Sequence, residues 1–229
     1  MYNALTPLTD EQVATLYQHP RQKLSNGRAP IELCMVASLD GSISLDGLSG
    51  GLSNTADRKV LSTLRVASGC VLVAAGTVRS EGYGTPVSPD LTVAVVTNSG
   101  SLDWDSPLFQ SGQAVVITHR SASLPNKIRS IRAGETSVDL IDAIDQLQAL
   151  VPNDGYVQLE GGPTLNASLH RLDLIDAINL TVSPQIIGGA GQRMIESTDE
   201  HAYRFKLQHA VTDGDCLFTR WLRRSEAAL

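Results

Sequence analysis

The chain has 229 residues, 42% of them hydrophobic and only 4% aromatic, with 18 basic residues against 24 acidic ones and a net charge of −6. That size allows one large domain or two small ones, with a core that needs no disulfide or metal. The acidic balance argues against a general nucleic-acid binder, which carries a basic excess. No apolar run approaches the ~20 residues of a membrane span. The N-terminus, MYNALTPLTDEQ, lacks the basic and apolar regions of a signal peptide, so a cytoplasmic protein is the expectation.

Residues 1–28 are polar with a weak helical pattern, Thr9 as a cap followed by Val13, Leu16 and Tyr17, and read as an N-terminal arm. A strand from Ile31 to Ala37 follows and ends at the turn signal Leu39-Asp40-Gly41. After the glycine- and serine-rich DGLSGGLSN, Asn54 or Thr55 caps a helix through Arg65, with Val60, Leu61 and Leu64 as its apolar stripe. The runs CVLVAAG (70–76), TVAVVT (92–97) and AVVITH (114–119) are continuously apolar, the mark of strands buried on both faces. GSLDWDSPLFQSG, between the last two, reads as loop and turn. A helix is expected over Asp139–Leu150, with Ile141, Ile144, Leu147 and Leu150 on one face. YVQLE (156–160) is the next strand, and Pro163 after Gly161-Gly162 starts a helix over Thr164–Leu172. AINLTVSP (177–184) is another strand, followed by the loop GGAGQ. FKLQHAV and CLFTRWL flank an Asp-Gly pair and read as a terminal hairpin. Alternating strands and helices imply an α/β fold with a mostly parallel, doubly covered sheet and an antiparallel edge. One domain over residues 29–229 is the simpler reading.

Candidate chemistry sits at the strand ends, where open α/β sheets bind ligands. Neither a P-loop nor a G-x-G-x-x-G fingerprint is present. Glu160-Gly161-Gly162-Pro163-Thr164-Leu165 stands at a strand-to-helix junction, where bare backbone and free first-turn amides suit a pyrophosphate; an ordinary tight turn is the alternative. Gly76-Thr77-Val78-Arg79 is a second such place, and Arg79 suits a phosphate or plain solvent. Asn98-Ser99 and His119-Arg120 end two further strands and suit a ribose or a 2′-phosphate. Gly47-Leu48-Ser49-Gly50-Gly51 matches the G-x-S-x-G elbow of serine hydrolases, but that motif needs a strand directly before and a helix directly after. Asp40 is a lone carboxylate that suits a proton donor if its pKa is raised, or simple turn chemistry. Cys34, Cys70 and Cys216 are isolated in apolar stretches and read as small buried hydrophobes. No histidine, cysteine or carboxylate set has metal-ligand spacing, so no metal is expected.

Three segments carry a resemblance: MVASLDGSIS, ADRKVLSTLRVASGCVLVAAGTVRSEGYG and VQLEGGPTLNASLHRLDLIDAINLTVSPQIIGG. Together they resemble the reductase domain of riboflavin biosynthesis, from about Ile31 to Arg223. The resemblance implies a dihydrofolate-reductase-like three-layer fold, a homodimer, and NADPH-dependent hydride transfer to 5-amino-6-(5-phosphoribosylamino)uracil or a related phosphorylated pyrimidine. It implies a cofactor site of Ala37, Gly76, Thr77, Arg79, Glu81, Asn98, Ser99 and Gly161, Gly162, Pro163, Thr164 and Leu165. It implies substrate contacts from Ser38, Asp40, Ser49, Arg65 and Glu160, with Ser49 and Arg65 at the 5′-phosphate and Asp40 and Glu160 near the pyrimidine and nicotinamide, and turns Ser49 from nucleophile into phosphate ligand. The sequence departs from the family where Arg79-Ser80-Glu81-Gly82-Tyr83-Gly84 replaces an Asp-Asp-Pro pattern and where Ser42 replaces a basic residue. It lacks the H-x-E and P-C-x-x-C signature of the zinc deaminase half. A pteridine or dihydrofolate reductase on the same fold stays open as a second reading.

Overall fold

The computed structural model describes residues 7–18 and 21–224; residues 1–6 and 19–20 of the expected arm, and 225–229 at the tail of the expected domain, lie outside these. Among the described residues there is one nine-stranded sheet, in the order β5-β4-β3-β2-β6-β1-β7-β9-β8. Its strands are β1 (Ile31–Ala37), β2 (Gly69–Ala74), β3 (Thr92–Val96), β4 (Ala114–Thr118), β5 (Ser130–Arg132), β6 (Tyr156–Leu159), β7 (Ala177–Val182), β8 (Phe205–Asp213) and β9 (Cys216–Arg223). The first seven run parallel, and the hairpin of β8 and β9 joins β7 antiparallel. Helices are α1 (Asp10–Tyr17), α2 (Thr55–Ser68), α3 (Ala75–Glu81), α4 (Pro107–Gln110), α5 (Leu140–Leu147) and α6 (Pro163–Arg171).

The apolar runs become central strands because both their faces are covered. On one face Ile31, Leu33, Cys70, Leu72, Val157 and Leu159 pack against Ala143, Ile144 and Leu147 of α5 and Leu165 and Leu169 of α6. On the other, Val71, Val73, Val93 and Val95 meet Val78 of α3 and Leu108 and Phe109 of α4. Further along that second face, Val60 and Leu64 of α2 meet Tyr156, Val13 and Tyr17. The result is helix, sheet, helix: three layers. Asn54 caps α2 by accepting from the Asp57 amide, and Thr9 and Gln12 make a capping box on α1. Helix α1 packs on α2, so this part of the arm lies against the domain.

Three expectations are corrected, and one strand is unexpected. The run at 70–76 leaves the sheet at Ala74, and Gly76 and Thr77 belong to α3. The loop expected between β3 and β4 contains α4, started by Pro107 at its N-terminus. Strand β5 has no counterpart in the sequence reading, because three residues carry no periodicity. Ile141, placed on the apolar face of α5, is 47% exposed, because Ala143, Ile144 and Leu147 make the buried face.

Candidate active site

The parallel strands β1, β2, β3 and β6 all end on the same edge of the sheet, and the crevice there is where this architecture leaves backbone groups free for a ligand. Beside that edge, on the second face, a cleft of about 410 Å³ lies between α2, α3 and the loops after β1, α3 and β6. Cys34 and Val36 of β1, Val71 and Val93 form its apolar side, and Arg58, Leu61 and Arg65 of α2 face it at helical spacing.

Glu160 is the hub of the floor. It is 7% exposed, at the end of β6. Arg65 grips it as a fork, Nε donating to Oε1 at 2.8 Å and Nη2 to Oε2 at 2.6 Å. Gln158 Nε2 donates to Oε1 at 2.7 Å, and the Tyr83 hydroxyl donates to Oε2 at 2.5 Å. Arg65 also lies over the Tyr83 ring, 5.2 Å from its centroid. Burial pulls the Arg65 guanidinium down, but the hydrogen bond and charge of Glu160 outweigh it and hold the cation firmly protonated. Burial and the Glu160 charge push the Tyr83 phenol well above its ordinary value.

The glycine turn borders this floor. The Ala74 amide donates to the Gly161 carbonyl at 2.7 Å, tying the ends of β2 and β6 together. Gly161 holds φ +92°, and the Gly161–Gly162 peptide is cis. A Cβ on Gly162 would stand 3.0 Å from the Thr77 hydroxyl, so the start of α3 abuts bare backbone. Gly162 caps α6 without a side chain and Pro163 fills its first turn, leaving the amides of Thr164 and Leu165 without intrahelical partners. Arg79 Nη1 donates to the Ser101 carbonyl at 2.7 Å, tying α3 to the loop after β3. Asn98 Oδ1 accepts from the Val138 amide, and Ser99 Oγ from Ser101. Of the expected cofactor residues, Thr77, Gly161, Gly162 and Pro163 line the cleft; Asn98 and Ser99 bond to the loops around them, and the Leu165 side chain packs into the core.

The remaining candidates fall elsewhere. Glu81 Oε1 accepts from the Ser49 amide at 2.8 Å, pinning the cleft wall to α3. Ser49 lines the cleft on a short 3-10 turn, Ser49–Gly51, within a loop. No strand precedes it directly, and His170 bonds the His201 carbonyl while His209 stacks on Tyr17. The hydrolase elbow is thus absent in shape. Ala37 and Ser38 end β1, both nearly buried. Asp40 stands on the loop after β1 and is absent from the cleft lining. Its carboxylate accepts from Ser38 Oγ at 2.5 Å, Gly188 N at 2.6 Å and Ile187 N at 3.2 Å. These bonds, Ser38 first, hold its pKa at about 2. The carboxylate staples the loop after β1 to the backbone of Ile187 and Gly188.

Tyr83, Gln158 and Arg58 carry no motif that marks them in the sequence. The signal for Tyr83 is its place in the Gly82-Tyr83-Gly84 departure; Gln158 reads as an ordinary strand residue.

A family model described as the RibD C-terminal domain matches residues 30–218. The 2,5-diamino-6-ribosylamino-4(3H)-pyrimidinone 5′-phosphate reductase of Methanothermobacter thermautotrophicus is 26% identical over 203 residues, which cover 80% of this chain and 93% of that protein. A pyrimidine reductase-like protein from Corynebacterium diphtheriae superposes with a TM-score of 0.77 at 23% identity, over 86% of this chain and 93% of its own. Dihydrofolate reductase from Enterococcus faecalis superposes with a TM-score of 0.56 at 10% identity, over 86% and 97% of the respective chains.

Proposed function

The chain belongs to the RibD C-terminal domain family and has the dihydrofolate-reductase-like fold; on that premise we propose that it is an NADPH-dependent pyrimidine reductase of riboflavin biosynthesis. The observation that carries this is the floor of the cleft. A carboxylate-guanidinium pair, Glu160 and Arg65, stands immediately before the bare Gly161-Gly162 turn, so a polar ring and a pyrophosphate fit side by side.

The residues present suit the cofactor. Gly162 keeps the turn flush with Thr77, and any side chain there fills the cradle. In this reading Gly161, Gly162 and Pro163 shape the pyrophosphate seat, and the amides of Thr164 and Leu165 donate to it. Gly76 and Thr77 close it from α3, Arg79 offsets its charge, Asn98 and Ser99 take the adenosine side, and Ala37 lines the nicotinamide. Bound NADPH supplies the hydride. Delivered to the imine carbon of the ring-opened ribosylamine, it would leave the amine once the nitrogen takes a proton from solvent. The protein's part is alignment: Arg65, fixed by Glu160, turns its remaining N–H donors to the pyrimidine, Ser49 meets the phosphate, and Glu81, Ser38 and Asp40 hold the loops that carry these contacts.

Against a pterin or dihydrofolate stands Glu160: the paired N–H donors of a 2-amino-4-oxo ring seek a carboxylate fork, and Arg65 already occupies the fork on Glu160. The test is oxidation of NADPH and of NADH with the uracil phosphate, its 2-amino counterpart and dihydrofolate side by side. Turnover of the uracil phosphate with NADPH is expected. Turnover of dihydrofolate alone would replace this reading with the pterin one, and no turnover of any would overturn both. The reading also carries a homodimer.

A further inference from the structure

Tyr83 belongs to none of the roles assigned above. It sits between Gly82 and Gly84 on the loop after α3 and lines the cleft. Its hydroxyl reaches Glu160 Oε2 at 2.5 Å, and its ring underlies the guanidinium of Arg65. Each Glu160 oxygen has two donors: Oε1 takes Arg65 Nε and Gln158 Nε2, and Oε2 takes Arg65 Nη2 and Tyr83. Gln158 is fixed within β6, and Arg65 hangs on a long side chain from α2. Without Tyr83, Arg65 loses its stacking surface and Oε2 loses its second donor, so the plane of the carboxylate is free to turn about the Arg65 fork.

We propose that Tyr83 is the positioning residue of this site, setting the plane of the Glu160–Arg65 pair against which the pyrimidine is aligned. The role rests on the pyrimidine-reductase reading and deepens it. Burial and the adjacent carboxylate keep the phenol protonated, so the hydroxyl acts as a permanent donor. Directional hydrogen bonding to a charged group on one side and a cation over the ring on the other fix both partners at once. Tyr83 performs no proton transfer.

The test compares Tyr83→Phe, Glu160→Gln and the double variant. Phe keeps the ring beneath Arg65 and removes only the hydroxyl. The expected result is about a tenfold fall in kcat/KM for the pyrimidine, the scale of a lost hydrogen bond to a charged group. The KM for NADPH should stay at its wild-type value, while the melting temperature falls by a few degrees with the lost buried hydrogen bond. In the double variant the hydroxyl's removal should cost nothing beyond Glu160→Gln alone, because both act through one carboxylate. Wild-type kcat/KM in Tyr83→Phe, or losses that multiply in the double variant, would overturn the assignment. A wild-type protein that turns over no pyrimidine would instead overturn the reductase reading beneath it.

Discussion

Gly162 shows how little room the proposed cofactor seat leaves. An added Cβ would meet the Thr77 hydroxyl at 3.0 Å and Ala74 Cβ at 4.0 Å, so Gly162→Ala should displace Thr77 from the cleft lining. We expect the NADPH Kd, read by fluorescence titration, to rise about tenfold, the equivalent of about 1.4 kcal/mol. An unchanged Kd would remove the turn from the cofactor site. Asp40 offers a contrast, since its contribution depends on pH. Its folded pKa of about 2 lies below the ordinary carboxylate value. Its staple is therefore fully present above about pH 4 and is lost as the pH falls toward about 2. Protection of the amides over residues 185–192, exchange taken against the unstructured-chain rate at the same pH, should fall in wild type across that window. In Asp40→Asn that protection should be low already at neutral pH. A wild-type strap that loosens only above neutral pH would contradict this assignment.

At the scale of elements, β1 is held by a charge that an apolar strand would not advertise. Glu32 is 1% exposed and accepts from Arg21 at 2.7 Å and from Arg220 of β9 at 2.6 and 2.7 Å. Asn179 of β7 joins from the adjacent strand, its carbonyl accepting from Arg220 at 2.8 Å. Burial pushes the Glu32 carboxyl up, but the hydrogen bonds from Arg220 and Arg21 outweigh it and hold it at about 2. Glu32→Gln should destabilise the protein by about 3–5 kcal/mol, because two buried arginines lose their counter-charge. Urea unfolding measures this, and a loss under about 1 kcal/mol would show that the pair breaks even. The wild-type advantage over the variant should be complete above about pH 4.5 and shrink as the pH falls toward about 2. Elements whose signals are local are readable in the sequence: the apolar run of β2, the Asn54 cap of α2, Pro163 at the start of α6 and the Asp213-Gly214 turn each carry their own chemistry. The buried ion pairs are not, because Arg65 and Glu160 stand 95 residues apart and Arg220 and Glu32 stand 188 apart. The sequence points Arg65 at a phosphate, and only the fold brings a carboxylate to it.

At the scale of the whole molecule, the three layers are unequal. Helices α5 and α6 cover one face of β1, β2 and β6 but leave that face bare toward the hairpin. Leu207 and Leu217 are 43% and 37% exposed there, and alternation places Trp221 and Leu180 on the same side. This apolar face is where the proposed homodimer should form. Sedimentation is expected to give a dimer for wild type and a monomer for Leu207→Glu/Leu217→Glu. A dimer that survives the double substitution would place the interface elsewhere. The strand order has one more consequence, and it concerns time. The first strand in the sequence sits between β6 and β7 and pairs with no strand made before residue 156. During synthesis β2, β3, β4 and β5 can align as soon as they emerge. The segment Ile31–Ala37 must wait, unpaired, until most of the protein has left the ribosome. A newborn polypeptide therefore spends most of its synthesis with an apolar strand looking for a place, which makes that segment the natural point for a chaperone to hold.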